Sequence, residues 1–493
     1  MATSWSSGST SDRASAALID GMGVVTLVVT SAGRTRCPRI SRFLTLGSTV
    51  TLCHTPGKIR GAGRRPFWCG TRQDVAGILS GPSFLEDAVS GLTAAQGDSA
   101  NPVEAEPRLS GSLLVVMAVA SGAIVANLYY LQPLLEQITQ HFGVSTLDGS
   151  LLNTLIQISY ALGLAFLVPL GDRLPRNRFA TGVFALSAVS LAVAALVPSF
   201  GLLALITCFI GLLSVGGQIL IPFAADLAEP SRRGRVVGRM MTGLLGGVLL
   251  SRTVSGFVSE LGGWHAVYYV AAAVMAVLAV LLHFMLPAER ERAFIPYRTL
   301  VSGSLRLLVT LPELRRRAWL GAMAFGAFSV LWSTLAFYLS APPFNYSPGL
   351  IGAFGLLGFG GLLAANAAGR LADDKRSGLT TMVSAVLLVV SFALSMLGST
   401  SILFIAVGII VLDIGVQGVH ITNQTIIYAL APEARSRINS AYMVCYFAGG
   451  ALGSFLGGIV YASSGWTGSC ILGICVGLAV LIPAYFWRKP LAS

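Results

Sequence analysis

The stretch "LAEPSRRGRVVGRMM" (227–241) returns, altered but recognisable, as "LAPEARSRINSAYMV" (430–444). One residue of slippage aside, the copies lie 202 residues apart, and the offset then holds: Gly247 answers to Gly449, Gly256 to Gly458, Gly263 to Gly465 and Trp264 to Trp466. "LGDR" (170–173) and "LADD" (371–374) repeat near the same interval, at 201. A repeat of this length says that one structural unit is built twice, and the two copies keep the same orientation.

What each unit consists of follows from composition. Hydrophobic residues make up 54% of the 493 and charged residues only 11%, outside the range of a soluble globular chain. From residue 111 onward, apolar blocks of about 20 residues recur, each long enough to cross ~30 Å of hydrocarbon as a helix. Twelve are expected, at 112–135, 150–170, 179–198, 201–224, 237–258, 264–286, 318–340, 350–369, 379–398, 401–427, 438–461 and 467–487. The fold class is therefore all-α integral membrane: twelve transmembrane helices in two pseudo-symmetric six-helix halves, 111–286 and 318–490, joined by a basic linker, 287–317.

Charge placement orients them. Of the 22 Lys and Arg residues beyond 110, all but Arg252 fall in alternate connections or at the C-terminal end: three after span two, four before span five, seven in the linker, three after span eight, two after span ten and two after span twelve. Positive residues stay on the cytoplasmic side, so both termini are expected in the cytoplasm. The net charge of +12 thus reports topology, and no nucleic-acid partner is expected. The seven cysteines show no metal spacing; neither a metal nor a cofactor is expected. Residues 1–110 are expected to be a disordered extension of unread role. Their Arg- and Ser-rich part, to residue 72, also has the composition of a transit peptide, against which Asp12 and Asp20 count.

The loop "PLGDRLPRNR" (169–178) resembles the signature loop of the major facilitator superfamily of secondary transporters, Gly-x-Leu-Ala-Asp-Arg-x-Gly-Arg-Arg, matching at Leu170, Asp172, Arg173 and Arg176. A second copy, "GRLADDK" (369–375), matches at Gly369, Leu371, Ala372 and Asp373. The resemblance covers residues 111 to 490 and implies that fold, with a solute site between the halves and alternating access to it. It also implies a conformational latch at Asp172, Arg173, Arg176 and Asp373. Such charges, paired in one conformation and parted in the other, bias a two-state equilibrium.

Span five carries the residue that fits worst. Arg252 lies thirteen residues past Arg239, ~20 Å deep at 1.5 Å per residue, where an arginine costs roughly 2.5–3.5 kcal/mol and needs a partner, unless it snorkels outward. Around it Gly243, Gly247, Ser251 and Ser255 recur every fourth residue, with Gly256 next to the last, and Gly449, Gly453 and Gly457 do so in span eleven. These faces are expected to pack helices closely. Both segments resemble the fifth-span signature of proton-coupled efflux members, Gly-x8-Gly-x3-Gly-Pro-x2-Gly-Gly, with Arg252 and Ser454 at its proline.

In span ten, Asp413, Gln417, His420 and Gln424 fall along one helix face. A carboxylate and an imidazole in one stripe are suited to carrying protons, so Arg252, Asp413 and His420 are the expected coupling residues; a stripe lining a wet cavity is the alternative. "ANLYYLQPLL" (126–135) resembles efflux members that export sugars, nucleosides or drugs. Its Asn127, Tyr130 and Gln132, with Gln157, Gln218, Trp332, Gln417 and Gln424, are candidate solute contacts, since neutral donors and acceptors suit a polar solute. Interhelical hydrogen bonding is the competing role for each.

The expected function is proton-coupled efflux of a sugar-, nucleoside- or drug-like compound by a monomer in the lipid bilayer, in a bacterial inner membrane. Symport or uniport of a polar metabolite is the alternative. An enzyme is not expected, because no nucleotide loop, His-Glu-x-x-His or Gly-x-Ser-x-Gly is present and the loops opposite the basic side are short.

Overall fold

The computed structural model describes three short strands near the N-terminus and residues 109–171, 173–229, 231–288, 297–359, 377–399, 401–430 and 435–487. It divides into two units, Met1–Glu106 and Pro107–Ser493. In the first, β1 (Ser15–Asp20), β2 (Gly23–Val28) and β3 (Thr51–Cys53) form an antiparallel sheet in the order β1-β2-β3, with Asp20 opposite Gly23. These strands fall in the segment for which disorder is the expectation; Val24, Val25 and Thr26 are β-branched residues of the kind that suits an extended, paired backbone.

Every regular element among the described residues of the second unit is a helix. Thr146–Gly171 forms span two, Arg176–Ala194 span three, Phe200–Leu213 with Gly216–Asp226 span four, Pro312–Ser340 span seven, Ser377–Met396 span nine and Ile402–Leu430 span ten. Spans five and six share Arg233–Met285, and eleven and twelve share Arg435–Phe486. Each long helix breaks where the repeat places a glycine, at Gly263 (φ 71°) and Gly465 (φ 62°), a left-handed conformation that a side chain would strain. Span one is the helix Gly111–Ala126; span eight begins as Pro348–Ala353 and continues as a 3-10 turn, Phe354–Gly358. Over its described residues, each of the twelve expected spans thus has a helical counterpart.

The glycine faces pack the two halves in the same way. In span five, a β-carbon on Gly243 or Gly247 would run into the backbone of Ala118 or Gly122 in span one. In span eleven, one on Gly449 or Gly453 would meet the carbonyls of Ala322 or Gly326 in span seven, and one on Gly457 would press on Val330 and Ser333. One turn or more further, Gly256 lies against the Pro348 carbonyl of span eight and its counterpart Gly458 against Ser150 of span two. The glycines therefore set two kinds of junction, within each half and between halves.

Those junctions between the halves run from mid-span toward the charge-poor ends of the helices. Thr253 donates to the Gly352 carbonyl at 3.0 Å, and the Gly349 N–H to Glu260 at 3.0 Å. On the other flank Asn153 Nδ2 donates to Ser454 Oγ at 3.0 Å, Ser454 donates to the Ser150 carbonyl at 3.3 Å, and Ser329 donates to Gln157 at 3.1 Å. On the basic side the linker helix Tyr297–Thr310 reaches across, with Tyr297 donating to the Phe166 carbonyl at 2.8 Å.

Candidate functional site

The site begins with a break in span one. The helix stops at Ala126 and residues 127–131 form turns, with Leu128 and Tyr129 donating backward to Val125 and Ala126. Pro133 heads a 3-10 turn, Gln132–Leu134, before a short helix, Leu135–Phe142. Proline lacks an N–H and crowds the preceding turn, so the uninterrupted span expected over 112–135 does not form. The Tyr130 carbonyl, freed at the break, accepts from Ser255 Oγ at 3.0 Å. Span five thus stitches a gap that hydrocarbon would not tolerate.

The break turns Tyr129 and Gln132 toward Arg252, which is 2% exposed. Arg252 Nε donates to Gln132 Oε1 at 2.5 Å, and Nη1 leans on the Val248 carbonyl at 3.4 Å. Its guanidinium carbon lies 4.2 Å from the Trp332 ring centre, 4.7 Å from that of Tyr129 and 5.3 Å from that of Phe328. Three aromatic faces around a desolvated cation are each worth ~0.5–2 kcal/mol, which offsets the burial of the charge. Gly355 leaves room: a β-carbon there would come within 2.9 Å of Arg252 Cβ. The arginine is not snorkelling, and Nη2 has no hydrogen-bond partner among the described residues.

Across from it, in the second half, span ten presents Asp413, Gln417 and His420 to a cavity of about 140 Å³. Tyr129, Gln218 and Arg252 line the same cavity from the first half. Asp413 is 8% exposed, and Gly358 keeps space beside it, since a β-carbon there would lie 2.6 Å from Oδ2. Arg252 and Asp413 feel one another's charge, yet among the described residues no carboxylate comes within the 4.0 Å of an ion pair to Arg252. His420 Nδ1 lies 3.1 Å from the Tyr442 hydroxyl and its ring 4.7 Å from that of Tyr446. Toward the charge-poor helix ends the arginine borders a second recess with Gln132, Trp332 and Ile351.

Seven of the expected residues therefore converge: Gln132, Gln218, Arg252, Trp332, Asp413, Gln417 and His420. Four go elsewhere. Asn127 donates to Ser187 in span three at 3.3 Å, because it sits ~200° around the helix from the cavity-lining Val125. Tyr130 meets span five through its carbonyl. Gln157 is engaged by Ser329 in the junction of the halves, and Gln424, one turn beyond His420, reaches Asn439 at 3.4 Å. Asn127, Gln157 and Gln424 thus make side-chain hydrogen bonds to neighbouring helices, and Tyr130 a backbone one. Unforeseen from sequence were Tyr129, Phe328 and Tyr446; the spacing of Phe325, Phe328 and Trp332 on one face of span seven was their only trace.

Of the expected latch residues, Arg176 Nη1 pairs with Asp226 Oδ2 at 2.7 Å, joining span three to the end of span four within the first half. Asp226 is reached because helix Gly216–Asp226 ends level with the start of Arg176–Ala194. Asp172 and Asp373 lie outside the described residues.

Two helical halves enclosing a polar, charged cavity at membrane depth define a membrane transporter. The chain belongs to the Major Facilitator Superfamily, whose family model matches residues 117–453 and 380–493. It is 44% identical over 380 residues to the putative uncharacterized transporter YgaY of Escherichia coli strain K12, covering 77% of this chain and 96% of that one. A probable transporter of Streptomyces coelicolor is 30% identical over 394 residues, covering 79% and 91%. Among solved structures, a bacterial homolog of the human lysosomal transporter Spinster, in an inward-facing conformation, superposes with a TM-score of 0.62 at 14% identity over 76% of this chain and 95% of that one.

Proposed function

We propose that this chain exports a small polar organic solute in exchange for protons, by alternating access, with Asp413 as the proton carrier. The observation that carries the reading is Asp413 itself, a carboxylate 8% exposed, facing a cavity between the halves and lacking an ion-pair partner among the described residues. An unpaired buried carboxylate costs several kcal/mol, so the cavity closes readily only when Asp413 is neutralised, by a proton or by a solute. A site that cannot cross empty, and that proton and solute occupy in turn, is an exchanger. Arg252, Tyr129, His420 and Tyr446 are the other titratable groups that bear on Asp413.

In this reading the basic side is the cytoplasmic side of a bacterial inner membrane, with both termini there. The junctions toward the charge-poor ends then form the outer barrier, and the described conformation faces inward. Arg173, Arg176 with Asp226, Asp172 and Asp373 act at the opposite barrier. The solute falls in the sugar-, nucleoside- or drug-like size range, the protein works as a monomer, and residues 1–110 are an appendage to the transport body.

The test is transport by the purified full chain in liposomes loaded with a pH-sensitive dye. A panel of sugars, nucleosides, amino acids and small drugs is applied against an imposed pH gradient. Exchange predicts that a transported solute moves protons in the opposite direction, and that Asp413→Asn still binds and exchanges solute for solute but moves no protons. Protons moving with the solute would establish symport, and solute flux without proton movement would establish uniport; either overturns exchange.

A further inference from the structure

We propose that the exchanged solute is a zwitterion carrying the amino-acid headgroup, its carboxylate received by Arg252 and its ammonium by Asp413. This rests on the exchange reading above and narrows it.

The argument starts from what is left over around Arg252. Its Nε is taken by Gln132, its faces by Trp332, Tyr129 and Phe328, and Nη1 is turned to the Val248 carbonyl. Of its nitrogens, Nη2 alone is buried without a partner among the described residues. A charged donor left bare in a low-dielectric site is more unfavourable than a neutral one, and a carboxylate is the planar acceptor that a guanidinium fits best. Gln132 and the rings hold the group in place, so little ordering remains when the acceptor arrives.

The second charge is what excludes a simple anion. Asp413 borders the same cavity from the other half, and Gly358, which also lines it, packs so close that a β-carbon there would lie 2.6 Å from Oδ2. The two charges stand too far apart to satisfy each other. A sugar or nucleoside would leave both bare, a monocarboxylate would leave Asp413 bare, and an amine would leave Arg252 bare. A solute with both charges pairs both, which is discrimination by unpaired charge as much as by contact. The cavity of about 140 Å³ has room for such a headgroup.

The coupling follows from the same pairing. An ammonium and a proton compete for Asp413, so each expels the other, and the linkage is exchange. A solute bearing only a carboxylate would instead favour protonation of Asp413 by drawing Arg252 away from it, and the linkage would be symport. Because one charge sits on each half, the solute also bridges the halves and holds the cavity closed in transit.

The experiment uses the full chain in dye-loaded liposomes and the twenty common amino acids as probes, each responsive one then compared with its decarboxylated amine and its deaminated acid. At least one amino acid is expected to drive protons in the opposite direction, with both truncated analogues at least tenfold poorer. Because the analogues are tested on the unaltered protein, the result does not depend on any variant folding. Arg252→Gln is then expected to erase the preference for amino acid over amine, and Asp413→Asn the preference for amino acid over acid. If uridine or a sugar exchanges with protons and no amino acid does, the zwitterion proposal fails while the exchange reading stands. If an amino acid crosses without counter-moving protons, the exchange reading fails while the headgroup assignment is judged by the analogues. If no probe moves or binds, as read by thermal stabilisation of the detergent-solubilised protein, the zwitterion proposal fails.

Discussion

The guanidinium carbon of Arg252 lies 4.2 Å from the centre of the Trp332 ring, so a charge in span five of the first half rests on an aromatic face in span seven of the second. Membrane insertion of this arginine is unfavourable by roughly 2.5–3.5 kcal/mol at mid-span, and the rings and Gln132 are what make it tolerable. Trp332→Ala is expected to lower stability by about 2 kcal/mol or more, while Trp332→Phe keeps an aromatic face and loses less than half of that. Thermal unfolding in detergent orders the two; equal effects would mean that packing volume, not the charge on the ring, matters.

Arg252 and Ser454 hold the same position in the two copies of the repeat, and Gly355 of span eight and Asn153 of span two face them. The first half's arginine is matched by a glycine across the junction, with 2.9 Å for a β-carbon, and the second half's serine by an asparagine at 3.0 Å. Gly355→Asn alone is expected to clash with Arg252 and reduce the yield of folded protein severalfold. Gly355→Asn combined with Arg252→Ser copies the other pair and is expected to restore folding without restoring transport. Size-exclusion profiles and liposome flux on the same preparations check both halves of that statement.

Hydrogen bonds at the charge-poor junction are expected to set the balance of conformations. Removing Asn153–Ser454 and Gln157–Ser329 together, by Asn153→Ala and Gln157→Ala, forgoes about 1 kcal/mol per bond. That shifts the equilibrium toward opening at that end by roughly tenfold or more. In a cysteine-free background, spin labels at Ser145 and Ser463 should show a new, longer distance. An unchanged distribution would mean that the glycine contacts alone hold the junction.

Gly247 and Gly449 pack against backbone in span one and span seven respectively, and neither neighbour can recede without moving a helix. Leucine at either position is expected to abolish folding to a similar degree, because the repeat gives both the same contact. A large difference between the two, measured as monodisperse protein per cell mass, would show that the halves differ in rigidity.

Asp226→Asn removes the charged partner of Arg176 while leaving its size. A loss of about 1 kcal/mol is expected, since the aspartate end is more than half exposed and screened by water. Restoration of stability by the exchange Arg176→Asp with Asp226→Arg would show that the pairing itself is the source.

Hydropathy, alternation of charge and the 202-residue repeat determined the number of spans, their pairing into halves and the glycine faces, because the bilayer acts on each segment separately and leaves its mark in local composition. Even the breaks at Gly263 and Gly465 were visible as matched positions of the repeat. Which side chains meet was another matter. Arg252 and Gln132 are 120 residues apart, and only the break at Ala126, imposed by Pro133, turns Gln132 and Tyr129 inward while Asn127 goes to Ser187. Arg176 meets Asp226, 50 residues on, because helix ends meet by length and tilt, which no short motif records. The sequence by itself determined that a charge is buried in span five; the tertiary structure decided what surrounds it, since partners at membrane depth come from helices distant in the chain and are selected by packing.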